Sequence, residues 1–135
     1  MTTLSTELYW LTLTLFMTGL MWVPYILNRI IEQGLIFAAW DPQGETATKV
    51  AWAERMARAH ANAVENLVIF APLVLAVQLT HLNSELTALA CMLYFFSRLT
   101  HFVVFTFAVP VLRVITFMVS VVAQLMLTFT LLGIV

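Results

Sequence analysis

Charge is what this sequence has least of. Of its 135 residues, six are Lys or Arg and seven are Asp or Glu, together 10%, against 62% hydrophobic. A soluble domain of this length cannot cover itself with so little polar surface, so much of the exterior is expected to meet lipid. A net charge of −1 excludes a basic nucleic-acid binder, which needs clustered Lys and Arg. Cysteine is almost missing too. Cys91 stands alone inside an apolar run, so no internal disulfide can form. The three histidines are scattered and no Cys/His cluster has metal-ligand spacing, so no metal site is expected. Nor does a basic leader begin the chain. Met1-Thr2-Thr3-Leu4 carries no Lys or Arg, and the first apolar run is too long for a cleaved signal core, so it reads as a retained membrane span.

Long apolar runs are what remain, and the charges bracket them. Twenty-one residues without charge separate Glu7 from Arg29, nineteen separate Glu65 from Glu85, and the last twenty-two follow Arg113. At 1.5 Å per residue, about 20 residues cross the roughly 30 Å hydrocarbon layer. A further span is expected from Glu85 to about Ala108, with Arg98 and His101 inside it. Helices satisfy their own backbone in lipid, and runs such as Leu73-Val74-Leu75-Ala76-Val77 lack the alternation of a barrel strand. The expected fold is therefore all-α, an integral membrane four-helix bundle occupying residues 1–135 as one domain. Asp41-Pro42-Gln43-Gly44 reads as a turn, Asn83 or Ser84 as the cap of the third helix, and Pro110 as part of the first turn of the fourth. Pro24 and Pro72 are expected to kink the first and second helices.

Basic residues then orient the bundle. Arg29, Lys49, Arg55 and Arg58 lie between the first and second spans and Arg113 between the third and fourth, whereas the remaining loop and both termini have none. The positive-inside rule puts the 1–2 and 3–4 loops in the cytoplasm and both chain ends on the opposite side. Tyr9, Trp10, Trp40 and Trp52, near span ends, read as interfacial anchors.

The most informative stretch opens the second helix. Arg55, Arg58, Asn62 and Glu65 are spaced three, four and three, within an arc of roughly 80°. Intervening alanines permit close helix packing, and His60 projects away. A plain reading is an amphipathic lead-in whose charges snorkel to the headgroups. That accounts for Arg55 better than for Glu65, which sits where the apolar run begins, because polar groups at that depth face a partner or a cavity. Two cations, a carboxamide and a carboxylate suit a zwitterionic, peptide-like ligand. On the third helix Tyr94, Arg98, His101 and Phe105 share one face. Arg98 has a structural alternative, pairing with Glu65 or Glu54 of a neighbouring helix.

The run Glu54-Arg55-x-x-Arg58-Ala59-His60-x-Asn62-x-x-Glu65-Asn66 resembles the signature of the MAPEG family, the membrane-associated proteins in eicosanoid and glutathione metabolism. Arg98-Leu99-Thr100-His101 is similar to the family's third-helix motif, and Arg113 resembles its basic residue opening the fourth helix. This resemblance implies a homotrimer with glutathione, as co-substrate, bound between adjacent subunits near the cytoplasmic face. By position, Arg58, Asn62 and Glu65 would hold the glutathione backbone, with Arg55 on the same stripe and with Arg29, Arg98 and His101 in support. Arg113 would lie near the sulfur. A cation that lowers a thiol pKa from about 8.5 by about two pH units, roughly 2.7 kcal/mol, makes the thiol mostly thiolate. The implied activity is a glutathione-dependent transferase or peroxidase acting on hydrophobic electrophiles delivered by the bilayer. The chain departs from the pattern at Phe105, where catalytic members often carry tyrosine, and at Thr100, where an aromatic residue is common. A non-catalytic glutathione- or lipid-binding membrane protein is the alternative, and a small four-helix exporter a further one, opposed by the lack of charge from Leu8 to Asn28.

Overall fold

The computed structural model describes residues 3–41 and 47–135. Among these, four apolar segments are long enough to cross a membrane: Thr6–Gln33, Ala51–Leu79, Glu85–Thr106 and Pro110–Leu131. The first is two helices, α1 (Thr6–Leu20) and α2 (Val23–Gln33). The expected kink at Pro24 is a break placed just before it. Pro24 has no N–H to give the Leu20 carbonyl, and its ring crowds that carbonyl, so α1 stops at Leu20 and Pro24 falls in the first turn of α2. Gly34, at φ 81°, then ends α2 and turns the chain into the short α3 (Leu35–Ala39). No part of this short helix was expected. Pro42, Gln43 and Gly44 of the expected turn lie outside the described residues.

The remaining spans are single helices: α4 (Ala51–Leu79, continuous through Pro72), α5 (Glu85–Thr106) and α6 (Pro110–Leu131). Ser84, rather than Asn83, caps α5. Its hydroxyl accepts from the Thr87 N–H at 3.2 Å while the Ser84 N–H donates to the Thr87 hydroxyl at 2.8 Å, a reciprocal box. Pro110 occupies the first turn of α6 as expected. Both tight connections close alike. The Leu82 N–H reaches back to the Val77 carbonyl, and the Val109 N–H to the Val104 carbonyl, at 3.1 and 2.9 Å. The pivots are His81 and Ala108, at φ 57° and 58°, left-handed positions that usually go to glycine.

The helices run up and down, with α5 against α6, α4 and α1, and α2 beside α4. The apolar core occupies the end nearer the chain termini. Leu11, Phe70, Val74, Val77, Ala90, Cys91, Tyr94, Ala123 and Leu127 form it, with Phe70 and Tyr94 stacked at 3.6 Å between centroids. A polar clasp closes that end. The buried Glu7 carboxylate accepts from the Thr87 hydroxyl at 2.6 Å, and Ser5 donates to Gln78 at 2.7 Å. Toward the 1–2 and 3–4 connections the apolar residues give way to Asn62, Arg98, His101 and Arg113. The chain is an integral, multi-pass membrane bundle.

Candidate functional site

The helix α4 stripe is split by its neighbour. Seen down the axis, Asn62 and Arg55 lie at one edge of the 80° arc, and Glu65 and Arg58 at the other. Helix α5 packs on the first edge only. Arg55 is half-buried and its Nε–H donates to the Thr106 carbonyl at the end of α5, 2.8 Å away. Asn62 accepts at Oδ1 from Arg98 Nη2 at 2.7 Å. Arg58 and Glu65 face out of the bundle, Arg58 pairing with Glu54 one turn earlier at 2.6 Å. Ala53, Ala59 and Ala63 are fully enclosed, which is how α4 approaches its neighbours closely. His60 turns to the other side and meets the Tyr25 hydroxyl at 2.8 Å.

Arg98 is the most buried cation of the molecule, with 2% of its surface exposed. Among the described residues neither Glu65 nor Glu54 pairs with it, and Asn62 is its partner instead. Among the described residues its one hydrogen bond goes to the neutral Asn62 carboxamide, and its Nε and Nη1 have no partner. A buried guanidinium normally recruits a carboxylate and fills its five donors. One helical turn earlier, the Tyr94 hydroxyl is also buried without a well-formed hydrogen bond, although the Gln124 amide is close. Gln124 itself donates to the Asn66 carbonyl at 3.3 Å.

His101 is buried against α6. Its Nδ1 lies 3.0 Å from the Arg113 carbonyl and 3.2 Å from the Thr116 hydroxyl. A carbonyl only accepts, so Nδ1 carries the hydrogen and Nε2 of the neutral ring is left as an acceptor. Arg113 is half-buried in the first turn of α6, its guanidinium carbon 4.9 Å from the centre of the Phe105 ring. Asn62, His101, Phe105, Arg113, Val114 and Phe117 together line a cleft of about 210 Å³. Five of the residues singled out in the sequence thus meet, since Asn62, His101, Phe105 and Arg113 line the cleft and Arg98 touches Asn62 and stands directly behind it.

Arg29 lies elsewhere. It pairs with Asp41 and lines cavities of about 170 and 240 Å³ between α2, α3 and α4. Helix α2 packs on α3 and α4 while α6 packs on α5 and α4, so Arg29 and Arg113 are on different flanks of the bundle. Sequence reasoning passed over Thr116 and Phe117. The only trace of them was their spacing, three and four residues beyond Arg113, which puts them one turn along the same face of α6.

Among the described residues no group of three or more His, Cys, Asp and Glu comes together as a metal site would require. Comparison with known proteins finds no curated protein and no solved structure that matches. The family model described as MAPEG family matches residues 8–133, nearly the whole chain, and so takes in the α4 stripe, Arg98, His101 and Arg113. The chain belongs to the MAPEG family, membrane proteins of glutathione and eicosanoid metabolism.

Proposed function

We propose that this protein is a glutathione-dependent membrane transferase or peroxidase acting on hydrophobic electrophiles, with glutathione held in the cleft between α4, α5 and α6. The observation that carries the reading is the cation surplus there. Arg113 lines the cleft and Arg98 stands behind it, bonded to the lining Asn62, with no carboxylate bound to either cation among the described residues. Uncompensated cations at membrane depth are costly, so an anionic ligand and a polar neighbour are what make them tolerable. Glutathione fits that requirement with two carboxylates and a thiol, and the Asn62 carboxamide and His101 supply neutral contacts.

The cleft of one subunit is small. Its volume of about 210 Å³ lies below the roughly 300 Å³ at which small-molecule pockets begin. A second copy must complete it, and the outward strip of Glu54, Arg58 and Glu65 supports this. Charges on that face would otherwise meet lipid or headgroups, whereas between subunits they can hold the ammonium and a carboxylate of a tripeptide. Arg29, on the opposite flank, would join only from such a neighbour. Homotrimeric assembly with the site on the cytoplasmic side is the arrangement we favour, the 1–2 and 3–4 loops being the basic ones.

In this scheme glutathione supplies a thiol nucleophile and the chain supplies charge and position. Arg113 stabilises the thiolate, Arg98 and Asn62 hold the backbone through their hydrogen-bond pair, and the bilayer delivers the lipophile. No residue of the chain is covalently modified. Phe105 in place of a phenol favours a second reading, glutathione binding without turnover. The test is purified protein in detergent with glutathione and a chromogenic aryl halide or a lipid hydroperoxide, with thiolate absorbance followed at about 240 nm. Turnover supports the enzyme, and saturable binding alone supports the second reading. Absence of both overturns the proposal.

A further inference from the structure

Arg113 is held in an unusual way for a cation meant to act on an anion. A carboxylate partner would fix it but would also occupy its donors and cancel its charge. Among the described residues no carboxylate lies within ion-pair distance of Arg113. Its guanidinium sits over the Phe105 ring at 4.9 Å, inside the roughly 6 Å range of a cation–π contact. An aromatic face holds the flat face of the group and leaves the N–H donors, which lie in its plane, free to point at a ligand.

Four further contacts make this a clamp rather than a chance approach. His101 bonds to the Arg113 carbonyl at 3.0 Å and so ties down its backbone. The same imidazole packs on Phe105 at 5.6 Å between centroids and on Phe117 at 6.0 Å. The turn between Phe105 and Arg113 is short and held by the strained Ala108 at φ 58°, with the Ala108 N–H bonded to the Phe105 carbonyl at 3.1 Å. Backbone, ring and guanidinium therefore close a triangle of His101, Phe105 and Arg113 on the wall of the cleft.

We propose that Phe105 is a positioning residue for thiolate formation: its ring, braced by His101, holds Arg113 without a carboxylate partner and with its N–H edge toward the cleft. This rests on the glutathione reading above. The phenylalanine, which at first looks like the loss of a phenol contact, is on this view the device that keeps the activating cation aimed and unquenched.

Two measurements test it, one independent of glutathione. In protein labelled with ¹⁵N-arginine, assigned with Arg113→Lys, the Arg113 side-chain resonance should be displaced by the Phe105 ring current. The displacement should vanish in Phe105→Leu and persist in Phe105→Tyr. With glutathione bound, Phe105→Leu should raise the pH midpoint of thiolate formation while leaving the dissociation constant within about threefold. At neutral pH its turnover should fall between about twofold and thirtyfold, the span a cation–π contact covers, and recover at higher pH. Phe105→Tyr should restore the native midpoint, and in an Arg113→Ala background Phe105→Leu should add nothing. An undisplaced Arg113 resonance in the native protein overturns the proposal. So does a thiolate midpoint that ignores Phe105→Leu. Should Phe105→Leu fail to fold, Phe105→Met takes its place, keeping bulk without a ring. If the native protein binds no glutathione while the ring-current displacement is present, the functional reading falls and the proposed role in thiolate formation goes with it, although the clamp itself is still observed.

Discussion

Replacing Asn62 by Leu should cost the bundle about 2 kcal/mol, and replacing Arg98 as well should recover most of that loss. Among the described residues, Asn62 Oδ1 is the sole hydrogen-bond partner of a guanidinium that is 2% exposed, with Nε and Nη1 unpartnered. Polar pairs between membrane helices average about 0.6 kcal/mol, with a maximum near 1.7. Hydrogen bonds to charged groups contribute about 1.5–3 kcal/mol, and stripping one partner from a buried charge costs more still. Because Arg98 has no second partner among the described residues, the upper end of the membrane range is the appropriate one. Two kcal/mol is about a thirtyfold change in the unfolding constant. Equilibrium unfolding by dodecyl sulfate in dodecylmaltoside micelles, followed by circular dichroism, measures it. Asn62→Leu should shift the midpoint, and Asn62→Leu with Arg98→Met should unfold close to the native midpoint, since two apolar groups of similar size can replace a polar pair almost neutrally. A shift below about 0.5 kcal/mol for Asn62→Leu, with Arg98→Met equally costly in either background, would refute the coupling.

Four other outcomes follow from the same geometry. Arg58→Ala should change stability by less than about 0.5 kcal/mol, because the Arg58–Glu54 pair is largely exposed, at 70% and 57% of the respective side chains; calorimetry should nevertheless find glutathione binding abolished. Arg113→Ala should keep glutathione binding but raise the pH at which the bound thiol ionises, read from thiolate absorbance; an unchanged thiolate fraction would remove Arg113 from the role of activating cation. Thr87→Val strips the hydroxyl donor from the buried Glu7 carboxylate and the acceptor from the Ser84 N–H, and should lower stability by about 2–3 kcal/mol in the same micellar titration. Cys91, the single cysteine and wholly buried, should react with maleimide only as fast as the bundle opens, so rapid labelling of native protein would contradict the placement of the core.

The spans were legible because lipid leaves the chain few choices. A charge-free run of about 20 residues must satisfy its own backbone, and Ser84 and Pro110 mark helix starts for reasons local to the sequence. The break before Pro24 was half legible. Proline announces a disturbance, but whether the helix bends or stops depends on what the neighbouring turn does with the Leu20 carbonyl. The short α3 had no signal, since five apolar residues carry too little periodicity to separate a helix turn from a loop. The site divides in the same way. Spacing put Arg55, Arg58, Asn62 and Glu65 on one arc, yet periodicity is blind to which edge of an arc a neighbouring helix covers. Helix α5 covers Asn62 and Arg55 and leaves Arg58 and Glu65 outside. A search for an acidic partner to Arg98 missed its actual partner, a carboxamide 36 residues away. His101 bonds a backbone carbonyl, which no side-chain pattern can disclose, and Glu7 meets Thr87 across 80 residues.

The two ends of the bundle answer different physical demands. Lipid supplies no hydrophobic drive between helices, so association rests on packing and hydrogen bonds. Both are concentrated near the termini, in the Phe70–Tyr94 stack, the small residues Ala90, Cys91 and Ala123, and the Glu7–Thr87 clasp. Among the described residues, the other end keeps Arg98 short of partners and holds Arg113 by the Phe105 face on its guanidinium and by His101 on its backbone carbonyl. Such an arrangement would be self-defeating if that end had to hold the helices together, because each uncompensated cation favours separation into a wetter environment. With the far end securing the bundle, the cleft can retain positive charge that an internal carboxylate would otherwise neutralise, and under the proposed function an anionic ligand would meet donors already in place rather than having to displace a resident partner.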